Sequence, residues 1–515
     1  METKGFNRRD FLKVFGAGAA SMALTGCQTN NLPFARYFSK KRPNILVIYT
    51  DDQSYRTIKS HPRGHTWVKT PNIDRLAKEG MQFTAGYCGA WCMAARASFL
   101  TGHQTHGVQT LRRVGGYPGS KYDPSVCRFW PSEFRKAGYT TGFIGKWHLS
   151  EDTGQGRDWD HSVVWNHAVP DKAGGYQINQ KLNFDGGPYT PVGGHSTDNY
   201  TSYALNFINK ELQKPWFLWL CYDAVHGPNI IVERDKNAYP DPEPCAIPVD
   251  FDPPREGKPE YSKYWDTRGC DKNAIPSGMR RYSRGVLALD EGVGKIIKAL
   301  EQKDQLDNTF IVFTSDQGFA QGHHGFFWKV APYDENILAP FIIRMPGVVS
   351  EDTLCNHPVS QLDLIPTFFK LAGVPLPWQM HGHDMTKILK DPQAEWEHPL
   401  LMEYMGQRYG SDTDKGKGSP DPKDGDLLWQ GKDNKIPIPW WVSLRQGRYK
   451  YIRNLTDNEI EELYDMVIDP QELNNLALNR SYKKVLEDYR QRLINELKRT
   501  DAGLVDNMPE PKKMI

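Results

Sequence analysis

Charge of one sign is what this 515-residue chain most plainly lacks. Its 64 Lys and Arg stand against 62 Asp and Glu, a formal net charge of +2 at pH 7. Such a balance gives no broad electrostatic pull toward nucleic acid and none toward a strongly acidic partner. Cysteine is scarce: eight positions, Cys27, Cys88, Cys92, Cys127, Cys221, Cys245, Cys270 and Cys355, with no CxxC pair among them. That spacing argues against a zinc ribbon, and disulfide pairings cannot be read from it. Long hydrophobic runs are missing as well. The N-terminal apolar stretch from Val14 to Leu24 is too short to span a bilayer. No internal repeat is visible, which sets aside arrays of one repeated unit.

What is present begins with that same N-terminus. Asn7-Arg8-Arg9-Asp10-Phe11-Leu12-Lys13 precedes the apolar stretch, as in a twin-arginine export signal. The stretch ends in Leu24-Thr25-Gly26-Cys27, similar to a bacterial lipobox, so cleavage before Cys27 and lipid attachment to it are expected. The expectation is an exported, lipid-anchored protein of the periplasm or cell surface of a bacterium. The chain is long enough for more than one structural unit. It divides into a signal peptide (1–26), a tether (27–42), a large α/β unit (43–385) and a smaller C-terminal unit (386–515). Fifteen Trp and 24 Tyr supply flat faces, most for the core and some suited to stacking on sugar rings.

Asn44–Thr50, Thr140–Ile144, Trp216–Cys221, Thr309–Phe313 and Pro340–Met345 read as buried strands. Thr70–Gly80, a segment ending at Phe134–Gly138, Asn199–Leu212 and Leu362–Ala372 read as helices. Tyr282, Val286, Leu289, Val293, Ile296 and Leu300 fall on one helical face. The alternation predicts a large, mostly parallel sheet flanked by helices. Residues 153–195 read as a long loop over the site, 229–275 as a second loop and 410–438 as an insertion. The C-terminal unit reads as a hairpin across Arg445-Gln446-Gly447-Arg448 and a final helix capped by Ser481.

Candidate chemistry clusters where strands end, as ligands do in open α/β folds. Asp51-Asp52 follows the first strand, placed for a metal ion or equally for a solvated turn. Gly145-Lys146-Trp147-His148, Ala224-Val225-His226-Gly227-Pro228 and Asp316-Gln317 follow later ones. The most informative stretch is Cys92-Met93-Ala94-Ala95-Arg96-Ala97-Ser98-Phe99-Leu100-Thr101-Gly102. It reads as a short helix with Cys92 at its start and Arg96 a turn later on the same side. A helix N-terminus suits an anionic ester, although a lone cysteine is more commonly a buried structural residue.

This stretch resembles the signature of the formylglycine-dependent sulfatases, members of the alkaline-phosphatase-like superfamily that include bacterial polysaccharide sulfatases. Further matches run in order from Pro43 to about Leu478: Asp51-Asp52, Gly145 to His148, His226 to Pro228, Thr314 to Gly318, Lys329, Gly447 to Lys450 and Glu462 to Asp465. The resemblance implies an alkaline-phosphatase-like α/β fold with a smaller C-terminal α+β subdomain. It implies that a formylglycine-maturing enzyme oxidises Cys92 to an aldehyde whose hydrate attacks sulfur. Asp51, Asp52, Asp316 and Gln317 would bind one Ca2+ ion. Arg96 would hold the hydrate, and Lys146 and Lys329 would grip sulfate oxygens. His226 would protonate the leaving oxygen, and His148 would help expel sulfate. The expected anchor and the long aromatic-bearing loops at 153–195, 229–275 and 410–441 point to a sulfated carbohydrate as substrate, with ulvan or carrageenan favoured and glycosaminoglycans the alternative. A phosphonate or phosphate ester hydrolase on the same fold, and a glycan-binding lipoprotein with an inactive site, are the alternatives. Two departures stand out: Ala94 where many relatives have Pro, and Gln317 where Asn or His is usual.

Overall fold

Asn44–Thr50 forms β1, and every residue in it is buried. A run without a polar face has to be flanked by other strands and covered on both sides, so β1 is central. The computed structural model describes residues 42–108, 128–167, 173–239, 245–252, 256–262, 272–326, 329–404, 438, 440–456 and 458–512. The expected signal peptide, Cys27, the tether through residue 41 and the expected insertion at 410–437 lie outside them. Residues 42–515 belong to a single compact unit.

After β1 come β2 (Met81–Phe83), β3 (Gly86–Tyr87), β4 (Thr140–Lys146), β5 (His161–Trp165), β6 (Ile178–Phe184) and β7 (Tyr189–His195). Next are β8 (Trp216–Cys221), β9 (Thr309–Ser315), β10 (Leu338–Ala339), β11 (Phe341–Arg344), β12 (Thr353–Cys355) and β13 (Val359–Ser360). Ten of them make one sheet, in the order β12-β2-β11-β9-β1-β8-β4-β5-β6-β7. From β9 to β5 all neighbours are parallel. The flanks include antiparallel pairs, β11 against β9 and β2 on one side and β5-β6-β7 on the other. Strand β11 therefore joins the sheet in the reverse direction. The register pairs Asn44 with Thr309 through to Thr50 with Ser315, so β1 and β9 end level. Whatever follows Thr50 and Ser315 must meet.

The helix Ile275–Gln302 lays Tyr282, Val286, Leu289, Val293, Ile296 and Leu300 into the core against β1, β8 and β9. Beneath the helix Cys92–Thr101 lies an aromatic layer, with Phe99 against Trp219 at 4.9 Å and Trp130 against Phe217 at 4.8 Å between ring centroids. All ten residues of that helix are buried. It stops at Gly102, whose φ of 74° is left-handed and whose N–H closes on the Ser98 carbonyl.

Residues 153–195 are not a long loop. They supply β5, β6 and β7, which extend the sheet to its edge. The period-2 signal is weak because β7 (Tyr-Thr-Pro-Val-Gly-Gly-His) is an edge strand with no fully buried residue. The final helix also begins differently. It spans Lys483–Arg499 with Tyr482 at its N-cap, and no side chain caps it. Ser481 sits one residue earlier in a 3-10 turn, where its N–H donates to Asn479.

Gly145 marks where β4 must pass closest to its neighbour. Its φ is 113°, and a Cβ there would lie 1.8 Å from the Cys221 carbonyl oxygen. Gly145→Ala is therefore expected to destabilise the protein by about 2–4 kcal/mol through clash and backbone strain. A denaturation midpoint unchanged from the parent chain would refute this.

The C-terminal sheet contains β14 (Leu400–Tyr404), β15 (Trp441–Gln446), β16 (Tyr449–Asn454) and β17 (Glu462–Asp465), all antiparallel, with the expected hairpin between β15 and β16. His106 ties it to the segment after the Cys92 helix. Its Nδ1 lies 2.8 Å from Glu403 and its Nε2 lies 2.9 Å from the Thr500 carbonyl. Both partners only accept, so both ring nitrogens donate and the ring is an imidazolium. Burial opposes the charge, but Glu403 outweighs it and raises the His106 pKa above its ordinary 6.5. A pKa raised on folding stabilises fully below the unfolded value and is lost as pH rises through the folded one. The thermal midpoint should fall as pH is raised above about 6.5, and His106→Gln should flatten that slope. Equal slopes in both proteins would rule the pair out as the cause.

Candidate active site

The level ends of β1 and β9 bring Asp51-Asp52 against Asp316-Gln317. The Asp52 N–H donates to Asp316 Oδ1 at 3.0 Å, and the Gln317 side-chain amide donates to Asp52. Lys146 closes β4 and reaches Asp51 with its ammonium. Cys92 opens its helix with Sγ 3.4 Å from Asp51 and 3.2 Å from Gln317. Lys329 donates to both oxygens of Asp52 at 2.8 and 2.9 Å and lies 3.1 Å from Cys92 Sγ. His226 follows β8, with Nε2 3.6 Å from Asp52 and Nδ1 2.6 Å from the Gly227 carbonyl.

Arg96 is fully buried one turn beyond Cys92. It donates to the Lys146 carbonyl at 2.8 Å and to Asp316 Oδ2 at 3.1 Å. Its guanidinium thus stitches the ends of β4 and β9 together from below. His148 lies just past β4 at a φ of 58°, edge-to-face with His167 at 5.0 Å. The ten side chains that the sequence assigned to this site are thereby found around the carboxyl ends of the parallel strands, while Cys27 lies outside the described residues. Two histidines that follow β9 in the chain have other partners, His323 with Asp250 at 2.6 Å and His324 stacked on Tyr333.

The electrostatics follow from burial and from three carboxylates facing three fixed cations. Burial alone would raise the Asp51 carboxyl, but Lys146, His226 and Arg96 hold it well below the usual carboxylate range. Burial and the charge of Asp51 push Asp316 up to about 7 despite Arg96. Burial raises the Cys92 thiol well above its ordinary value even with Lys329 beside it. A protonated, enclosed thiol is a poor nucleophile. Burial and then Lys329 lower His226 to about 4, and burial and then His167 hold His148 well below its usual range.

Asp51, Asp52, Cys92 and His226 each present a ligand atom, all within 4.8 Å of one another. Gln317 adds Oε1, which is buried and has no hydrogen-bond partner among the described residues. Carboxylate and amide oxygens around a buried, unsatisfied carbonyl fit a hard divalent cation. Asp316 accepts from the Asp52 N–H with Oδ1 and from Arg96 with Oδ2, and each oxygen keeps a lone pair that an ion could take.

Residues that the sequence reading did not single out complete the wall. Tyr176 places its hydroxyl 2.7 Å from Lys146 Nζ and stacks its ring on His226 at 4.8 Å. Gln177 binds the backbone of the His226 loop. The available signal was the aromatic density of 153–195, where a missed period-2 pattern hid which residues turn inward.

The Sulfatase family profile matches residues 43–374, well over half of the chain. The chain is 26% identical over an alignment of 541 positions, gaps included, to the N-acetylglucosamine-6-O-sulfatase of Bacteroides thetaiotaomicron, covering 92% of this chain and 89% of that one. It is 25% identical over 472 residues to the ulvan-active sulfatase of Formosa agariphila, covering 88% and 81% respectively. Its fold is similar to that of a protein solved in complex with its substrate D-glucosamine-2-N,6-O-disulfate, with a TM-score of 0.73, 24% identity, and 91% and 99% of the two chains covered. The chain belongs to the sulfatase family and is a sulfuric ester hydrolase with an alkaline-phosphatase-like fold.

Proposed function

We propose that this sulfatase removes sulfate from a sulfated carbohydrate, using residue 92 after oxidation of its thiol to formylglycine. The observation that carries the reading is the Cys92 thiol itself, which is buried, protonated and yet set among Lys329, Gln317 and the aspartates. As a thiol it is inert, whereas a hydrated aldehyde at the same place supplies a nucleophilic oxygen and a second hydroxyl for releasing sulfate.

Asp51, Asp52, Asp316 and Gln317 would hold one divalent ion, with Ca2+ the best match to an all-oxygen donor set. When bound, the ion supplies positive charge that offsets developing negative charge on sulfate oxygens. Without it, Arg96, Lys146 and Lys329 only balance the three carboxylates, which leaves little net attraction for an anionic ester. Lys146 and Lys329 bind sulfate oxygens as point charges. His226 has Nδ1–H committed to the Gly227 carbonyl, so Nε2 carries a proton for the leaving oxygen only as the imidazolium, the form that Asp52 and an incoming sulfate anion favour against the burial that lowers its pKa. His148, held neutral, accepts a proton at a ring nitrogen from the hydroxyl remaining on residue 92. Arg96 fixes the position of Asp316 from beneath.

The relatives support a carbohydrate sulfate, hexosamine 6-sulfates and ulvan both being represented among their substrates. The N-terminal patterns around Arg8-Arg9 and Cys27 support export and a lipid anchor. No helix among the described residues is long and apolar enough to cross a membrane.

The test is sulfate release by protein produced with a formylglycine-maturing enzyme. Substrates are desalted ulvan, carrageenan and glycosaminoglycan oligosaccharides and N-acetylglucosamine 6-sulfate, with and without a calcium chelator. Release from one class, lost on chelation and regained with Ca2+, is the expected result. Faster turnover of an aryl phosphonate than of any sulfate would replace this reading with the phosphonate hydrolase one.

A further inference from the structure

We infer that Tyr176 is a positioning residue for proton delivery, holding the His226 imidazole in line with the leaving oxygen; the inference rests on the donor role proposed for His226. Tyr176 lies in the short segment before β6, the antiparallel extension beyond the parallel strands. Its ring face meets the His226 ring at 4.8 Å and 17°, a stack rather than an edge contact. Trp165 closes on it edge-on at 4.6 Å and His167 at 5.1 Å, so the ring cannot swing away. The adjacent Gln177 grips the same loop by its backbone. Its amide donates to the His226 carbonyl at 2.9 Å and accepts from the Ile230 N–H at 2.7 Å.

Ring and backbone of the His226 loop are therefore held by two consecutive residues, Tyr176 and Gln177. The Nδ1 contact with the Gly227 carbonyl restrains rotation of the imidazole within its plane, and the stack opposes tilting out of it. As the bond from sulfur to the leaving oxygen breaks, its electron pair stays on that oxygen, which takes the Nε2 proton of the His226 imidazolium and leaves a neutral ring with Nδ1–H still on the Gly227 carbonyl. A donor that wanders by an ångström delivers that proton late. The hydroxyl of Tyr176 does a separate job, accepting from Lys146 Nζ at 2.7 Å and so orienting a sulfate-binding cation.

These two jobs separate experimentally. Good leaving groups need no proton and poor ones do, so kcat/KM should be measured for a series from 4-nitrophenyl to unsubstituted phenyl sulfate. His226→Ala should lose about 100-fold or more on phenyl sulfate and far less on 4-nitrophenyl sulfate, steepening the dependence on leaving group. Tyr176→Leu should steepen it in the same sense, by about tenfold across the series. Tyr176→Phe, which keeps the stack, should retain the parental slope and raise KM for every ester alike. Gln177→Met, which leaves Tyr176 in place, should steepen the slope less than Tyr176→Leu and serves if the leucine variant does not fold. If His226→Ala steepens the slope while Tyr176→Leu and Gln177→Met lower all rates equally, Tyr176 is merely structural. A flat response of His226→Ala would instead overturn the donor role on which the inference stands.

Discussion

Cys92→Ala should abolish sulfate release, lowering kcat/KM by about 10⁴-fold or more, as loss of a covalent nucleophile does. The protein should nevertheless fold. Cys92 sits at the start of a helix in which alanine is the best-tolerated residue, and two alanines follow at 94 and 95. What the thiol gives up is its contact with Asp51 and its place beside Lys329 and Gln317, a cost of about 1 kcal/mol. Lys146 and Lys329 remain, so the variant should still bind sulfated oligosaccharide. Sulfate measured by ion chromatography, alongside a thermal midpoint and a binding isotherm, would check all three points. Residual turnover within tenfold of the parent would mean that residue 92 is not the nucleophile. Cys92→Ser should be equally inactive, since a hydroxyl on one carbon offers no second oxygen to release sulfate.

Arg96→Gln should fail differently, in stability as well as activity. The guanidinium is fully buried, and its removal strands Asp316 beside Asp51 with one cation fewer and leaves the Lys146 carbonyl without its donor. Breaking a buried ion pair from one side costs about 3–5 kcal/mol, far more than deleting a surface charge. Arg96→Lys should recover only part of this. One ammonium cannot span a carbonyl and a carboxylate that the planar fork reaches together at 2.8 and 3.1 Å. Urea unfolding would decide the matter. A loss below 1 kcal/mol for Arg96→Gln would show that the network relaxes around the missing charge.

Arg96 also shows what could be read before any coordinates. Its spacing from Cys92 put it one turn along the same helix, and apolar runs announced the buried strands that end at Asp51-Asp52 and Asp316-Gln317, whereas the meeting of those ends followed from the family resemblance alone until the register of β1 and β9 showed it. Sequence pattern served where burial is two-sided. It failed at β6 and β7, where one or both faces meet solvent and β7 carries Pro191, Gly193 and Gly194. Tyr176 was lost with them, since its partners Lys146 and His226 are 30 and 50 positions away and only the antiparallel return brings it to them. His106 was out of reach for a similar reason: Glu403 lies 297 residues on.

The order in which the chain is synthesised gives the burial of Cys92 a temporal meaning. The thiol is covered by Gln317 and Lys329, and from position 92 to position 329 the ribosome must add 237 residues. At about 5–20 residues per second, that leaves roughly 10–50 s in which Cys92 has been made but its cover has not. An enzyme of the kind proposed to oxidise residue 92 has that interval, for most of it on a nascent chain whose central strand still lacks β9. Once that strand pairs, the cysteine is sealed in whatever chemical state it has reached. On the proposed formylglycine reading, the converted fraction is therefore expected to be set during translation and unchanged by adding maturing enzyme to the folded product.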